Sequence, residues 1–196
     1  MDLYIPKDLT EERALSISKA LPGSRNKDCL QAAKNITNKN AYAIPPFGTI
    51  QYPNLIDWDD NRSRAYSRLI HGFTFLGCLT DAFVNTGDIK YLEKGMALIK
   101  DWIGKHTYET KKETMAYHDE TTALRLQYWQ KYYIYAKGIV SDDEIKKLEE
   151  RMWSTAALLE KDSFHSTGTN HGMFQDIALL LFSNFFEGEN KELCIK

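Results

Sequence analysis

The chain has 196 residues, of which 43% are hydrophobic and 27% charged, with 25 Lys+Arg against 27 Asp+Glu. That composition excludes a disordered tail and a membrane bundle, and a net charge of -2 lacks the basic excess of a general nucleic-acid binder. The length sets one domain with a substantial core as the default.

Met1 to Leu21 mixes Asp2, Lys7, Asp8, Glu11, Glu12 and Arg13 with isolated apolar positions, so it holds no signal-peptide run. A first helix is expected over Leu9 to Leu21 and a second over Lys27 to Asn38, separated by Pro22-Gly23-Ser24. Pro45-Pro46-Phe47-Gly48 reads as an extended arm running to Trp58. Tyr66, Leu69, Ile70, Phe73, Leu76, Thr80, Phe83 and Val84 follow the spacing of one long helix, with Asp59 or Asp60 as its cap. Asn85-Thr86-Gly87-Asp88 turns the chain, and Ile89, Leu92, Met96, Ile99 and Ile103 define the next helix. Thr107 to Ala116 is polar and aperiodic, hence a loop. A helix then starts near Asp119 and carries Leu124, Tyr128, Trp129, Tyr132 and Tyr135 up to Gly138. Ser141 with Glu144 is a capping-box pattern ahead of Ile145, Leu148, Met152, Ala156 and Leu159. Asp162 to Thr169 is a second polar loop, and Ile177, Leu180, Leu181 and Phe185 mark a last helix ending near Gly188. The apolar run Ile177 to Phe186 is about half a membrane span of roughly 20 residues. No convincing β-alternation is visible, so the fold class is all-α, built of antiparallel helical hairpins. Cys29, Cys78 and Cys194 are odd in number and far apart, which indicates neither a disulfide framework nor a zinc knuckle.

Short turns near 85–88 and 138–141 alternate with long loops, and the helices after the long connections start near 60, 119 and 170, a stacked-hairpin spacing of roughly 50 to 60 residues. An up-down array puts those three starts at one end. Trp58, Asp59, Arg62, His118, Asp119, Glu120, Arg125, His165, Asn170 and His171 thereby collect on one rim. With 4 Trp, 11 Tyr and 9 Phe, some rings are also expected to line a surface cleft.

Two constellations on that rim carry chemistry. In Phe164 to Asp176, a polar loop enters a helix at Asn170-His171-Gly172. A histidine in a first helical turn feels the positive helix end, which favours the neutral ring a general base needs, and the neighbouring amide can bond a carboxylate. The same residues also read as an ordinary cap, Thr169 or Asn170, followed by a half-buried histidine. In His118 to Gln127, Asp119 with Glu120 is normal helix-start chemistry, whereas Arg125 among apolar neighbours needs either an internal carboxylate or an anionic ligand. His165 and His171, six apart across a loop, lack the spacing of a metal pair, and no serine stands in a nucleophile elbow. No metal and no cofactor is expected.

Ile56-Asp57-Trp58, the unit ending Asn85 to Leu92, Thr122-Ala123-Leu124-Arg125-Leu126, and Asn170-His171-Gly172 with Gln175 resemble the helical N-terminal domain of the heparinase II/III and alginate lyase superfamily over Asp57 to Phe186. The resemblance implies part of an incomplete (α/α) toroid over 58–196, with 1–57 as N-terminal helices and arm of the same structural domain. It also implies β-elimination of uronic-acid polysaccharides, an anionic polysaccharide or oligosaccharide as partner, and a family that often works in the periplasm or outside the cell. Asn170 would neutralise the uronate carboxylate and His171 abstract the C5 proton. Arg125, His118, Glu120, His165 and Gln175 would contact sugar or carboxylate, and Trp58 would be a stacking platform. The family's general-acid tyrosine and β-sandwich come later in its chains than Asn170, and none of the 11 tyrosines here does. This chain therefore reads as the first part of a toroid, feeble alone, with exposed apolar surface on its last two helices and a tendency to self-associate or to need a completing segment. Two other classes remain: a toroid glycoside hydrolase using carboxylates such as Glu120 and Asp176, and a non-catalytic helical module that binds glycan or protein.

Overall fold

The computed structural model describes residues 11–60 and 62–186; the expected start at Leu9, the stop at Gly188 and Cys194 lie outside them. Helices α1 (Glu11–Ala20) and α2 (Cys29–Lys39) open the chain, α2 being capped by the Asp28 carboxylate, which accepts from the Gln31 N–H, and ended by left-handed Asn40. The expected extended arm is in part a hairpin. Strands β1 (Ala41–Ala43) and β2 (Thr49–Gln51) pair antiparallel with Tyr42 opposite Ile50, and the prolines lie in the turn, where their missing N–H groups cost the ladder nothing.

The expected long helix from Tyr66 to Val84 is two: α3 (Arg64–His71) and α4 (Leu76–Thr86). Ser63 caps α3 by accepting from the Tyr66 N–H, whereas the Asp60 carboxylate is engaged by Arg62 and the Tyr52 hydroxyl. The break falls at Phe73, whose φ of 57° is unfavourable for a side chain this large. Its ring is wholly buried between Trp58 and Trp129, at 5.4 and 5.3 Å, so aromatic packing offsets the backbone cost.

Helix α5 (Lys90–Lys105) returns along α4. The expected loop before residue 119 holds one short turn of helix, α6 (Tyr108–Lys111), and a 3₁₀ turn at Met115–Tyr117. Helices α7 (Asp119–Ala136), α8 (Asp142–Leu159) and α9 (Asn170–Phe185) complete the array. At the start of α8 the Ser141 hydroxyl donates to the Glu144 carboxylate at 2.8 Å, a side-chain pair in place of the reciprocal capping box. Thr169 caps α9, accepting from the Gly172 N–H. None of the described helices is long and apolar enough to cross a membrane.

Helix α7 is the hub, buried nearly all round and packed on α3, α4, α5, α8 and α9. Many of the aromatic residues serve this core: Trp102, Trp129, Tyr132 and Tyr133 are buried. Arg125 of α7 is buried with them, 4.2 Å above the Trp102 ring, donating to the carbonyls of His71 and Ala116. Apolar surface is exposed along one face of α9, at Met173, Phe174, Ile177 and Leu180. That expectation does not hold for α8, whose Ile145, Leu148, Met152, Leu158 and Leu159 all face inward.

Two glycines of α5 test this packing. A Cβ on Gly95 would lie 2.6 Å from the Tyr132 ring, which is fixed by its hydroxyl on the Leu92 carbonyl, whereas a Cβ on Gly104 meets nothing. Urea unfolding should show Gly104→Ala stabilising by about 0.5–1 kcal/mol through helix propensity. Gly95→Ala should destabilise by about 1–3 kcal/mol despite the same propensity gain.

Candidate functional site

The starts of α3, α7 and α9 meet at one end, as the loop-length argument requires. Arg68 of α3 donates to Glu120 at 2.7 Å, Arg64 to His118 Nε2 at 2.9 Å, and the rings of His118 and His171 lie 5.5 Å apart edge to face.

The centre of the cluster is Asp119. Its carboxylate accepts a short hydrogen bond from the Ser166 hydroxyl, a bond from the Glu120 N–H at 2.6 Å and one from His171 Nδ1 at 3.3 Å, with His118 Nδ1 2.7 Å away. Burial alone would raise its pKa. The Ser166 hydroxyl, the Glu120 N–H and the two imidazoles outweigh burial and hold the carboxyl below its usual range, so it is ionised at neutral pH. Asp119 reads from the sequence as ordinary helix-start chemistry; the N-cap position of α7 belongs to His118, and the Asp119 side chain turns toward the 162–169 loop.

An anion at Asp119 fixes the working atom of His171. With Nδ1–H directed at Asp119, the neutral form of the ring has its lone pair at Nε2, which lies 3.5 Å from Glu120 and so outside a good hydrogen bond. Arg68 occupies Glu120 from the other side. Asn170 is exposed beside this ring and its amide bonds none of the described residues.

The remaining expected site residues divide. Gln175 is fully buried and braces the loop, accepting from the Ser166 N–H and donating to the Phe164 carbonyl, so it positions Ser166 and does not face a ligand. His165 is bonded at both nitrogens, to Thr167 of its own loop and to Asp176 on α9. Arg125 has neither the internal carboxylate nor the solvent access expected of it. Burial pushes its pKa down to about 9, and carbonyls and ring faces hold its charge. Trp58 is only 4% exposed, locked by its Nε1–H on Asp101 and stacked on Phe73, yet its edge reaches a cleft.

That cleft, of about 650 Å³, runs from Trp58 to His118. Its floor is His71, His106 and Ser67, its flanks Arg64, Asp59 and the 111–115 segment. Burial first, then His106 and Arg125, drive His71 down to about 3, so that part of the floor is uncharged at neutral pH. A smaller hollow of about 210 Å³, among Arg25, Glu120, Leu124 and Phe174, adjoins the cluster at Glu120. Sequence reasoning missed the roles of Asp119, Ser166, Arg64 and Arg68; only proximity to the histidine-bearing loops marked the first of them.

One atom each of His118, Asp119 and His171 lies within 4.8 Å of the others, a spacing that could accommodate a metal ion. The donor set does not fit one as it stands. Arg64 donates to His118 Nε2 and so leaves the proton on Nδ1, the very atom that would have to ligate.

No protein-family model and no curated protein matches the sequence. Among solved structures the chain is similar to a mutant of the heparan sulfate lyase HepC from Pedobacter heparinus, with a TM-score of 0.75 at 14% identity over 93% of this chain. It is also similar to a heparinase III with methylated lysines, with a TM-score of 0.71 at 17% identity over 99% of this chain. The fold is the heparinase-type helical toroid, and this chain spans about a third, 32%, of the length of each of those structures.

If Asp119 ties the loop to α7, Asp119→Ala should cost about 1–3 kcal/mol and Ser166→Ala about 1 kcal/mol in chemical unfolding. The double variant should cost measurably less than the sum, because both remove one shared bond. Strict additivity would contradict the coupling.

Proposed function

We propose that the chain is the N-terminal part, holding part of the toroid, of a polysaccharide lyase that cleaves uronic-acid-containing chains by β-elimination. The observation that carries this reading is the Asp119–His171 pair at the start of α9, with Nδ1 engaged and Nε2 open, beside an exposed and unbonded Asn170 amide. The two solved neighbours, named as a heparan sulfate lyase and a heparinase III, support it.

The chemistry follows from acidity. A C5–H next to a uronate carboxylate is too weak an acid to lose its proton while that carboxylate bears a full negative charge. Hydrogen bonding from the Asn170 amide disperses the charge that builds on the carboxylate oxygens as C5 is deprotonated. His171 Nε2 takes the C5 proton, and the Asp119 carboxylate stabilises the imidazolium that forms. The electrons of the C5–H bond become the C4–C5 double bond, and the C4–O bond breaks. The leaving oxygen then collects a proton, which the family resemblance assigns to a tyrosine carried later in the family's chains than Asn170. These 196 residues hold the carboxylate-binding and base half of such a centre.

The test is the gene product carrying these residues, incubated with heparan-type and polyuronate chains and followed by the ultraviolet absorbance of unsaturated uronides. Product should form, and His171→Ala or Asn170→Ala should each reduce its rate by about 100-fold or more. Saturated hydrolysis products, or a rate unchanged in His171→Ala, would overturn the reading.

A further inference from the structure

The cleft beside the cluster is not used by the elimination step, and its lining has a chemistry of its own. Its volume of about 650 Å³ falls within the usual range of small-ligand sites, roughly 300–1,000 Å³. Three cations border it: Arg64, Lys111 and Lys112. Arg64 is exposed and donates to His118 Nε2 and to no carboxylate among the described residues, while Lys112 is exposed and likewise pairs with no carboxylate among them. Lys111 meets Asp59 only at 3.3 Å, and Asp59 is 83% exposed at its side chain, a contact of small worth that a better-placed anion can displace. Glu113, the other carboxylate of the lining, is exposed as well.

The floor is polar but uncharged at His71. Nδ1 of His71 accepts from the Trp102 indole, so its Nε2 bears the proton; Nδ1 of His106 faces the Trp102 carbonyl, so its Nε2 bears the lone pair. The His71 N–H is engaged by the Trp58 backbone, so the acceptor at His106 is the group of the floor that suits a sugar hydroxyl, and Trp58 supplies an apolar strip next to it. Arg64 and His118 line the cleft, and His118 also lies against Asp119, so the near end of the cleft adjoins the His171 centre.

We infer that this cleft is a second anion subsite, which takes a sugar bearing a sulfate or carboxylate group from the same chain whose neighbouring uronate is engaged at Asn170 and His171. The inference rests on the lyase reading for the polymer involved, but the subsite is defined by the cleft's own residues. It makes the ligand a polyanion with charges on successive sugars.

Calorimetric titration of the 196-residue chain tests it with three probes: a heparan sulfate hexasaccharide, an unsulfated oligogalacturonate and neutral maltohexaose. Both acidic probes, or the sulfated one alone, should bind, more weakly as salt rises, and maltohexaose should not. The pattern between the two acidic probes says whether sulfate or carboxylate is the group held. Lys111→Glu/Lys112→Glu should weaken acidic-probe binding by about tenfold or more, while Lys111→Arg/Lys112→Arg retains it. Unaltered affinity in the charge-reversed protein, or equal binding of maltohexaose, would overturn the subsite. The two readings fail separately. Salt-sensitive binding of this pattern without unsaturated product from any acidic chain refutes the lyase and leaves the subsite, and product formed at an undiminished rate by the charge-reversed protein refutes the subsite and leaves the lyase.

Discussion

One half-buried carboxylate organises the functional end of this molecule. Asp119 stands where α7 begins and accepts from the hydroxyl of Ser166, which belongs to the loop before α9, as well as from His171 on α9 itself. That acceptor joins the loop and the first turn of α9 to α7 and sets which nitrogen of His171 faces the carboxylate. The burial cost is met by three donors, the Ser166 hydroxyl, the Glu120 N–H and the His171 ring, with the His118 ring close by. Gln175 supports the arrangement from behind, holding both the Ser166 N–H and the Phe164 carbonyl. Gly172 permits it, since a Cβ there would fall 2.4 Å from the Ser166 carbonyl oxygen.

Behind the rim, Arg125 plays a comparable part for the core. Its guanidinium spans the His71 and Ala116 carbonyls, joining the end of α3 to the turn before α7, and it lies on the Trp102 face. Its Nε and Nη2 find no hydrogen-bond partner among the described residues, and the ring faces of Trp102, Tyr117 and Trp129 surround it instead. A cation held by π-faces and carbonyls is a costly way to fill a core, which agrees with the lowering of its pKa. It also connects the floor of the cleft, through His71, with the helix that carries Asp119.

The hairpin order, the loop lengths and the meeting of three helix starts were legible because helical periodicity and turn residues are local signals. The break at Phe73 was not, since its left-handed backbone is maintained by Trp58 and Trp129, residues distant in sequence. Three-residue strands such as Ala41–Ala43 are too short to show alternation. At the site, Asn170 and His171 stood out as an amide and an imidazole at a helix start. Asp119 did not, because an Asp followed by Glu at the beginning of a helix is common for dipole reasons alone, and its turn toward Ser166 depends on a residue 47 positions away. Gln175 and Arg125 looked available to a ligand because a sequence does not say which face of a helix is covered; both prove to be interior ties.

The most direct measurement is a crystal structure of the chain with a bound uronate oligosaccharide. The uronate carboxylate should lie within hydrogen-bond distance of the Asn170 amide, with C5 facing Nε2 of His171 and Nδ1 still on Asp119. A carboxylate bound away from Asn170, with His171 closed onto Glu120 and no sugar against it, would contradict the lyase reading.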